Sequence, residues 1–263
     1  METSLRRRLD AELVRRGIAR GRDDAKRLIG AGGITVDGSS LVKPSSLVSE
    51  SAAIGQVSDS PRWASRGGFK LAHALTEFGL DPSRRRALDV GASTGGFTDV
   101  LLVAGAATVT AVDVGYGQMV WRLSQDPRVT VVDRTNFRTV DPILLGDPFT
   151  FVVADVSFIS VGLVAPKLAV VGTDGADYVV LVKPQFEVGR KSVGRGGIVK
   201  DQTAQAWAID SVADALARHG VGVLRITTSP ITGAKGNREF LIHARRGEAR
   251  VLSKAEISSE VAR

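Results

Sequence analysis

The chain has 263 residues, with 35 lysines and arginines against 28 aspartates and glutamates, a net charge of +7, and no cysteine. Without cysteine it can form no disulfides, no thiolate site for zinc or iron–sulfur clusters, and no thiol nucleophile. Its three histidines, His73, His219 and His243, have neither HxH nor HExxH spacing, so we expect no metal site built on imidazoles.

The excess of positive charge favours an anionic partner, either a nucleic acid or a membrane surface. No stretch has the roughly 18 uncharged apolar residues that span a bilayer, and no apolar run follows the N-terminal arginines as in a signal peptide. We therefore expect no membrane association and a cytoplasmic location. The length suits one large domain, or one ordinary domain with a smaller one.

The first sixty residues are predicted to form a compact unit of two helices and a hairpin. The predicted elements are a helix over 8–16, a helix over 23–29, and a hairpin with strands 34–36 and 41–42. Apolar residues at helical spacing define the first helix, and Gly17 ends it. The pair Asp37-Gly38 favours the hairpin, because both residues tolerate the positive φ angles of tight turns.

The string RLDAELVRRGIARGRDDAKRLIGAGGITVDG resembles the small RNA-binding domain first seen in the S-four protein of the small ribosomal subunit, and the resemblance covers residues 5–57. Gly21 departs from the family, which often has a serine cap there, but this leaves the fold in place. The resemblance implies that basic side chains face RNA phosphates. These residues are Arg6, Arg7, Arg15, Arg16, Arg20, Arg22, Lys26 and Arg27. A solvated basic face on a helical unit is the alternative.

A polar stretch, Ser58 to Pro61, marks the boundary between two modules. We predict an RNA-binding domain over 1–60, a linker over 61–65 and a second domain over 66–263. There, apolar β-branched runs alternate with helical patterns, which predicts an α/β domain with a parallel, Rossmann-like sheet and helices on both faces. The predicted elements include a helix near 68–78, a strand over 86–91, a helix over 96–104 and a strand over 108–113. The runs VGVLRITTSP and NREFLIHA predict an antiparallel pair.

The sharpest local signal is ALDVGASTGGFT at residues 87–98, an apolar strand that enters a turn of small residues and then a helix. A dinucleotide site needs G-x-G-x-x-G, whose middle glycine lets the backbone approach a pyrophosphate, and this chain has Ser93 there. S-adenosylmethionine has no phosphate and favours an acid at the strand end, which Asp89 supplies.

Two further acids follow the next two strands. Asp113 lies where a carboxylate can accept hydrogen bonds from both ribose hydroxyls of an adenosine, and Asp133 could hold the adenine amino group. Ordinary turn residues at strand ends are the alternative for both. The candidate cofactor residues are Asp89, Gly91, Ser93, Thr94, Gly95, Gly96, Asp113 and Asp133.

Four charged residues are predicted to meet at the edge where the parallel strands end. Asp155 closes FVVAD, Lys183 closes VVLVK, Glu239 precedes the strand FLIHA, and Lys70 lies in SRGGFKL. Ligands of open α/β sheets bind outside this edge, so we expect Asp155 and Lys183 to point into the crevice. A solvated strand end is the ordinary alternative for Lys183 alone, and the interpretation therefore depends on the whole set.

Lysine, aspartate, lysine and glutamate in this order resemble the K-D-K-E tetrad of ribose 2′-O-methyltransferases of the cell-division-associated heat-shock class. With LDVGASTGGFTDVLL, VDVGYGQ, ADVSFIS, VKPQFEVGR and GNREF, the chain is similar to the TlyA-type methyltransferases over residues 5–243. The resemblance implies S-adenosylmethionine as cofactor, ribosomal RNA and ribosomal subunits as partners, and a monomer that methylates a cytidine ribose in 23S rRNA.

The tail SKAEISSEVAR is predicted to be a short helix and resembles the longer family members, which implies 16S rRNA as a second target. The name hemolysin is also used for members of this family, but no residue here indicates a pore.

A mechanistic hypothesis assigns a role to each member of the tetrad. Lys183 acts as general base, in a neutral form favoured by burial and by nearby Lys70. Asp155 orients that amine, Lys70 stabilises negative charge on the oxygen, and Glu239 positions Lys70 or the ribose. The missing cysteine closes the usual route to base-carbon methylation of cytosine, and no D/N-P-P-Y/F/W stretch typical of adenine amino methylation follows the fourth strand. Oxygen is therefore the favoured target.

A glycine-rich basic segment, 189–197, is long enough to close over RNA, with Arg190, Lys191 and Arg195 on phosphates; an ordinary surface loop is the alternative. Two other functions stay open. An NAD-dependent oxidoreductase with a basic appendage would bind NAD in place of S-adenosylmethionine. A non-catalytic ribosome-binding protein would bind RNA without methyl transfer.

Overall fold

The computed structural model describes residues 6–30, 33–37, 42–56, 63–189 and 192–263. The chain divides into two compact units, 1–66 and 67–263, and each has a hydrophobic core. Within the described ranges, every helix is too short or too polar to cross a membrane.

The first unit combines two helices with short strands. Its elements are β1 (Arg6–Arg8), α1 (Leu9–Arg15), α2 (Arg22–Gly30), β2 (Ile34–Val36), β3 (Leu47–Ser49) and β4 (Ile54–Gln56). The helices bury Leu9, Leu13, Ala25 and Ile29 in a core that includes Ile34 of β2. Both helices agree with the sequence prediction, because their buried residues recur at helical spacing.

The hairpin predicted across Asp37-Gly38 is wrong. β2 pairs antiparallel with β4, and Val42 lies in no strand. Asp37 does take a positive φ of 49°, but its N–H donates to the carbonyl of Ala53 at 2.8 Å, and the Ala53 N–H donates to its Oδ1 at 2.9 Å. These two bonds hold the end of β2 against the segment that leads into β4. Residues 38–41, which include most of the predicted turn and second strand, lie outside the described residues.

The second unit is an α/β domain. Its strands are β5 (Arg86–Val90), β6 (Thr108–Val112), β7 (Val129–Val132), β8 (Phe149–Ala154), β9 (Gly172–Val182), β10 (Val221–Thr228) and β11 (Phe240–Arg246). Its helices are α3 (Gly67–Phe78), α4 (Gly96–Val103), α5 (Trp121–Ser124), α6 (Val161–Val171), α7 (Pro184–Glu187), α8 (Gln202–Ala217) and α9 (Lys254–Ala262).

These strands form one sheet in the order β10-β11-β9-β8-β5-β6-β7. The strands from β9 to β7 are parallel, and β11 runs antiparallel to both of its neighbours. The predicted parallel sheet and the predicted antiparallel pair are both confirmed. The strand order reverses between β5 and β8, so right-handed connections place α4 and α6 on opposite faces. Such a reversal opens a crevice at the carboxyl ends of the strands.

The core of this unit is formed by strands covered on both faces, and it includes the C-terminal helix. Tyr178 to Val182 of β9 are all fully buried, as expected for an apolar run in a parallel sheet. Before α9, the hydroxyl of Ser253 accepts a hydrogen bond from the Glu256 N–H and the Glu256 side chain bonds back, which forms a capping box. Ile257 and Val261 of α9 are buried in the core. The predicted C-terminal helix is therefore confirmed.

Candidate active site

The carboxyl ends of the parallel strands and the start of β11 lie at one edge of the sheet. Phe240, the first residue of β11, pairs with Val182, the last residue of β9, so the residue before β11 lies beside the residue after β9. This register brings Glu239 next to the end of the parallel strands. Lys70 reaches the same place from α3 and contacts Glu239.

The turn between β5 and α4 is built from residues with small side chains. The predicted cofactor residues Gly91, Ser93, Thr94, Gly95 and Gly96 lie in this turn or begin α4. Gly91 has a φ of 84°, and a Cβ there would lie 2.5 Å from the carbonyl oxygen of Asp155. Gly95 has a φ of 93°, and its Cβ would lie 2.5 Å from Cδ1 of Leu123. The turn therefore depends on glycine both for its backbone conformation and for its close packing.

Asp89 is fully buried at the end of β5, directly beneath this turn. Its Oδ2 accepts a hydrogen bond from Thr98 Oγ1 at 2.7 Å, whereas its Oδ1 has no hydrogen-bond partner among the described residues. Burial raises the pKa of Asp89 to about 7, and the nearby charge of Asp155 acts in the same direction. A buried oxygen without a partner is costly, so this carboxylate suits a polar or cationic group of a ligand.

Asp113 and Asp133 lie after β6 and β7 and organise the neighbouring loops. Asp113 Oδ2 accepts from the Ser93 N–H at 2.8 Å, and its Oδ1 accepts from the Gly115 N–H at 2.7 Å. Asp133 Oδ2 accepts from the Gly117 N–H at 2.8 Å. Both side chains remain partly accessible, and Asp113 is joined directly to the glycine turn. Their predicted contacts with an adenosine stay predictions.

Lys183 lies between two oxygen atoms of the loop that follows β8. Its Nζ is 2.5 Å from Asp155 Oδ1 and donates a hydrogen bond to Ser157 Oγ at 2.7 Å. The contact with Asp155 is an ion pair, and Asp155 Oδ1 accepts no hydrogen bond from the described residues. Only 7% of Lys183 is exposed, so its amine is held in one place at the strand edge.

Lys70 and Glu239 form a second lysine–carboxylate pair. Lys70 Nζ donates to Glu239 Oε2 at 2.5 Å, and both residues are buried. Gly233 lies against the same carboxylate so closely that a Cβ there would overlap it. The four tetrad residues thus form two pairs, Lys183 with Asp155 and Lys70 with Glu239. In the part of the chain that the structure describes, no group of three or more histidines and acids could hold a metal ion.

Two aromatic residues beside Lys183 were missed by the sequence analysis. Phe158 is 91% exposed and has a φ of 64°, a conformation that is strained for a large side chain. Its ring lies 5.2 Å from that of Phe186, and Lys183 Nζ lies 5.9 Å from the Phe186 ring. The strings ADVSFIS and VKPQF contained the signal, because each phenylalanine lies three positions after a charged residue of the candidate site.

The segment after the glycine-rich stretch is attached to the loop that precedes Glu239. Asn237 is buried, accepts from the Val199 N–H at 3.0 Å and donates to the Gly197 carbonyl at 2.9 Å. The end of segment 189–197 therefore lies beside the second pair. Arg190, Lys191 and the side chain of Arg195 lie outside the described residues.

In the first unit, the predicted RNA-binding residues differ in their surroundings. Arg6, Arg7, Arg20, Arg22 and Lys26 are exposed. Arg15 and Arg16 both bond to the buried carboxylate of Glu12, and these bonds, that of Arg15 above all, lower its pKa to about 2. Arg16 also donates to the carbonyls of Ala52 at 2.9 Å and Glu50 at 2.8 Å, so it stabilises the unit itself. The side chain of Arg27 lies outside the described residues.

Comparison with known proteins matches residues 63–246 to the FtsJ-like methyltransferases and residues 7–54 to the S4 domain. The 16S/23S rRNA (cytidine-2′-O)-methyltransferase TlyA of Mycobacterium tuberculosis is 49% identical over 262 residues, 98% of this chain and 97% of the relative. A solved structure of a proposed hemolysin from Streptococcus thermophilus is 38% identical and has a TM-score of 0.77. The match covers 98% of this chain and 94% of the other chain.

A more distant solved structure shows the fold alone. It is an S-adenosylmethionine-dependent methyltransferase candidate from Listeria monocytogenes, 14% identical with a TM-score of 0.51, and the match covers 70% of this chain and 100% of the other. The sheet order and the glycine turn thus define the class of α/β methyltransferases. Within that class, the chain belongs to the TlyA-type family of FtsJ-like methyltransferases and carries an S4 domain at its N-terminus.

Proposed function

We propose that this enzyme transfers a methyl group from S-adenosylmethionine to the 2′-hydroxyl of a cytidine in ribosomal RNA. The observation that carries the proposal is the pairing of two buried lysines with two carboxylates at the carboxyl edge of the sheet. The relative from Mycobacterium tuberculosis is named for this reaction on 16S and 23S rRNA, and we propose both RNAs as targets. The reaction takes place in the cytoplasm, on ribosomal subunits, and the enzyme acts as a monomer.

The residues around the glycine turn fit the cofactor. S-adenosylmethionine supplies a methyl group that is already activated by its positive sulfur. The Oδ1 of Asp89, which has no partner among the described residues, suits a cationic or polar group, and Gly91 and Gly95 give the turn the positive φ angles that it needs. Asp113 and Asp133 offer carboxylates after the next two strands. Ser93, Thr94 and Gly96 complete the proposed set.

The tetrad supplies the proton acceptor and the charge that the reaction needs. A ribose hydroxyl is a weak nucleophile until its proton is removed, so Lys183 acts as general base after it has released its own proton to solvent. The Asp155 carboxylate, 2.5 Å away, stabilises the ammonium that forms when Lys183 takes the proton. The positive charge of Lys70 stabilises negative charge on the oxygen, and Glu239 holds Lys70 in position.

Phe158 provides a surface for the base of the target nucleotide. Its ring is exposed and lies against Phe186, which lies beside Lys183, and single-stranded or extruded bases are commonly bound by stacking on aromatic side chains. We propose that the cytosine stacks there while the ribose faces the lysine pairs.

The proposal is tested with purified protein, methyl-labelled S-adenosylmethionine, and 16S and 23S rRNA, both naked and in isolated subunits. The expected product is 2′-O-methylcytidine, identified by nuclease digestion and mass spectrometry. Label on a base, or on no RNA at all, would overturn the proposal. Parallel titration with NAD tests the oxidoreductase alternative, and RNA binding without transfer would indicate a non-catalytic ribosome-binding protein.

A further inference from the structure

Two segments at the catalytic edge are joined by a carboxylate that the proposed mechanism does not use. Segment 155–160 follows β8, and segment 183–187 follows β9. Glu187 ends α7 and reaches back to the first segment. Its Oε2 accepts a hydrogen bond from Ser160 Oγ at 2.6 Å, and its Oε1 accepts from the Val161 N–H at 2.9 Å.

The partners of Glu187 belong to a rigid part of the domain. Ser160 caps α6, since its hydroxyl also accepts a hydrogen bond from the Gly162 N–H at 3.0 Å. Val161 is the first residue of α6 and is buried in the main core. Glu187 therefore attaches the segment that carries Lys183 to the beginning of a packed helix, where unpaired N–H groups favour a negative charge.

Further contacts between these two segments involve groups that the proposed mechanism uses. Lys183 contacts Asp155 and Ser157, and the rings of Phe158 and Phe186 lie 5.2 Å apart. In that mechanism Lys183 exchanges protons and Phe158 receives a base, so these contacts change during the reaction. The bonds of Glu187 involve Ser160 and the first residue of α6, which the mechanism does not use, so they can persist.

We infer that Glu187 is a positioning residue for methyl transfer, which fixes the segment bearing Lys183 against the loop bearing Asp155 and thereby sets the place of the Lys183 amine. The inference rests on the proposed function of the tetrad. Proton transfer depends on placement of the base to within about 1 Å, so loosening this attachment lowers the rate of the chemical step.

The experiment compares Glu187→Ala and Glu187→Gln in the full-length enzyme. Alanine loses both contacts, and we expect kcat to fall about 100-fold, with the KM for rRNA and the Kd for S-adenosylmethionine little changed. Glutamine keeps an oxygen for the Val161 N–H, and its amide can donate to Ser160. We expect its kcat to fall by about fivefold or less, the equivalent of one ordinary hydrogen bond.

A matched control is Glu256→Ala. Glu256 accepts hydrogen bonds from the hydroxyl of Ser253 at 2.7 Å and its N–H at 2.8 Å, the same kinds of partner, at the start of α9. We expect this control to lower thermal stability and leave kcat unchanged. If Glu187→Ala does not fold, Glu187→Asp, which is shorter by one methylene, replaces it, with an intermediate loss of kcat expected at near-normal stability.

Three results would overturn the inference. In the first, Glu187→Ala keeps the wild-type kcat; in the second, glutamine loses as much activity as alanine; in the third, the Glu256 control loses activity to the same extent. All of them require an active wild-type enzyme. If the wild type fails to methylate a ribose oxygen, the proposed function is wrong instead, and the two failures are thereby distinguished.

Discussion

Each of the two lysines proposed to act in catalysis is buried and faces one carboxylate. Lys183 is 7% exposed and Lys70 8% exposed, and their partners are Asp155 and Glu239. Removal of one member leaves the other as an uncompensated charge, which destabilises a protein in addition to any effect on catalysis. Variants in the tetrad therefore need measurements of both folding and turnover.

Lys183→Ala is expected to lower methyl transfer by at least about 100-fold, the usual contribution of a general base. Binding of S-adenosylmethionine, measured by calorimetry, is expected to persist because Lys183 is not among the proposed cofactor residues. Lys254→Ala serves as the control, since that side chain is 84% exposed on α9 and should leave the rate unchanged. Methylation that survives in Lys183→Ala would contradict the assignment of the base.

Asp89 gives the stability of the ligand-free enzyme a particular pH dependence. Burial raises its pKa to about 7, whereas the pKa of an aspartate in an unfolded chain is about 4. Between these values the folded state holds a proton that the unfolded state has released, so the contribution of Asp89 to stability falls as pH rises. Above pH 7 this loss is complete.

Asp89→Asn removes this titration and keeps an oxygen for Thr98. We expect the variant to be more stable than the wild type at pH 8, with a clearly smaller difference at pH 5, in urea unfolding of the ligand-free protein. Its affinity for S-adenosylmethionine should be lower, because the carboxylate charge is lost. An equal difference in stability at the two pH values would show that Asp89 does not titrate in this range.

At this scale the sequence singled out the charged residues of the candidate site but not their neighbours. Lys183 and Asp155 each end an apolar run, so the pattern marks them and the parallel topology predicts their proximity. No periodicity marks Ser157, Phe158 or Glu187. Their importance arises from the packing of two strand ends against each other, which a single sequence does not display.

Among the elements, the turn between β5 and α4 packs directly against the loop after β8. A side chain at Gly91 would meet the carbonyl of Asp155, so the two segments are in close contact. We therefore expect Gly91 to influence both the proposed binding of the methyl donor and the placement of the Asp155–Lys183 pair.

Gly91→Ala is expected to destabilise the domain and to lower kcat by displacing Asp155. Gly79→Ala is the matched control, because Gly79 also has a positive φ, of 62°, but a Cβ there meets nothing within 4 Å. The control should lose about 1–2 kcal/mol from backbone strain alone. Denaturant unfolding and turnover are measured for both variants. Equal losses of stability and of kcat in the two variants would refute the coupling between the turn and Asp155.

The strands of the second unit could be predicted, whereas in the first unit only β2, at residues 34–36, was predicted. β5, β8 and β9 are apolar runs followed by turn residues, and burial on both faces produces that pattern. β1 consists of three arginines, and its pairing with β3 has no apolar signature. The pair Asp37-Gly38 predicted a partner strand only a few residues away. The observed partner of β2 is β4, which lies further along the chain.

Over the whole molecule, positive charge is shared by both parts of the chain. Residues 1–65 hold 11 basic and 8 acidic residues, and the remainder holds 24 and 20. Each part thus contributes an excess that can attract phosphates. Arg16 illustrates that not all of this charge is available, since its guanidinium bonds to the carbonyls of Glu50 and Ala52.

The double variant Arg6→Ala/Arg7→Ala is expected to weaken rRNA binding and reduce its salt dependence, with the slope of log K against log salt lowered by roughly 1.5 to 2. Thermal stability should be unchanged, because both side chains are exposed on β1. Arg16→Ala is expected to lower thermal stability and to leave the salt dependence of rRNA binding largely unchanged. Filter binding at several salt concentrations and thermal melts distinguish the two outcomes, and an unaltered slope for the double variant would exclude these arginines from the interface.

The position of β11 has a consequence for the biosynthesis of this enzyme. β11 lies between β9 and β10, and the ion pair of Lys70 with Glu239 joins residues 169 positions apart. Chains fold as they are made, from the N-terminus onward. A nascent chain can assemble the glycine turn early, but its sheet lacks an interior strand and its tetrad lacks Glu239 until β11 has left the ribosome. A methyltransferase proposed to act on ribosomes thus becomes competent only after a ribosome has made this late strand.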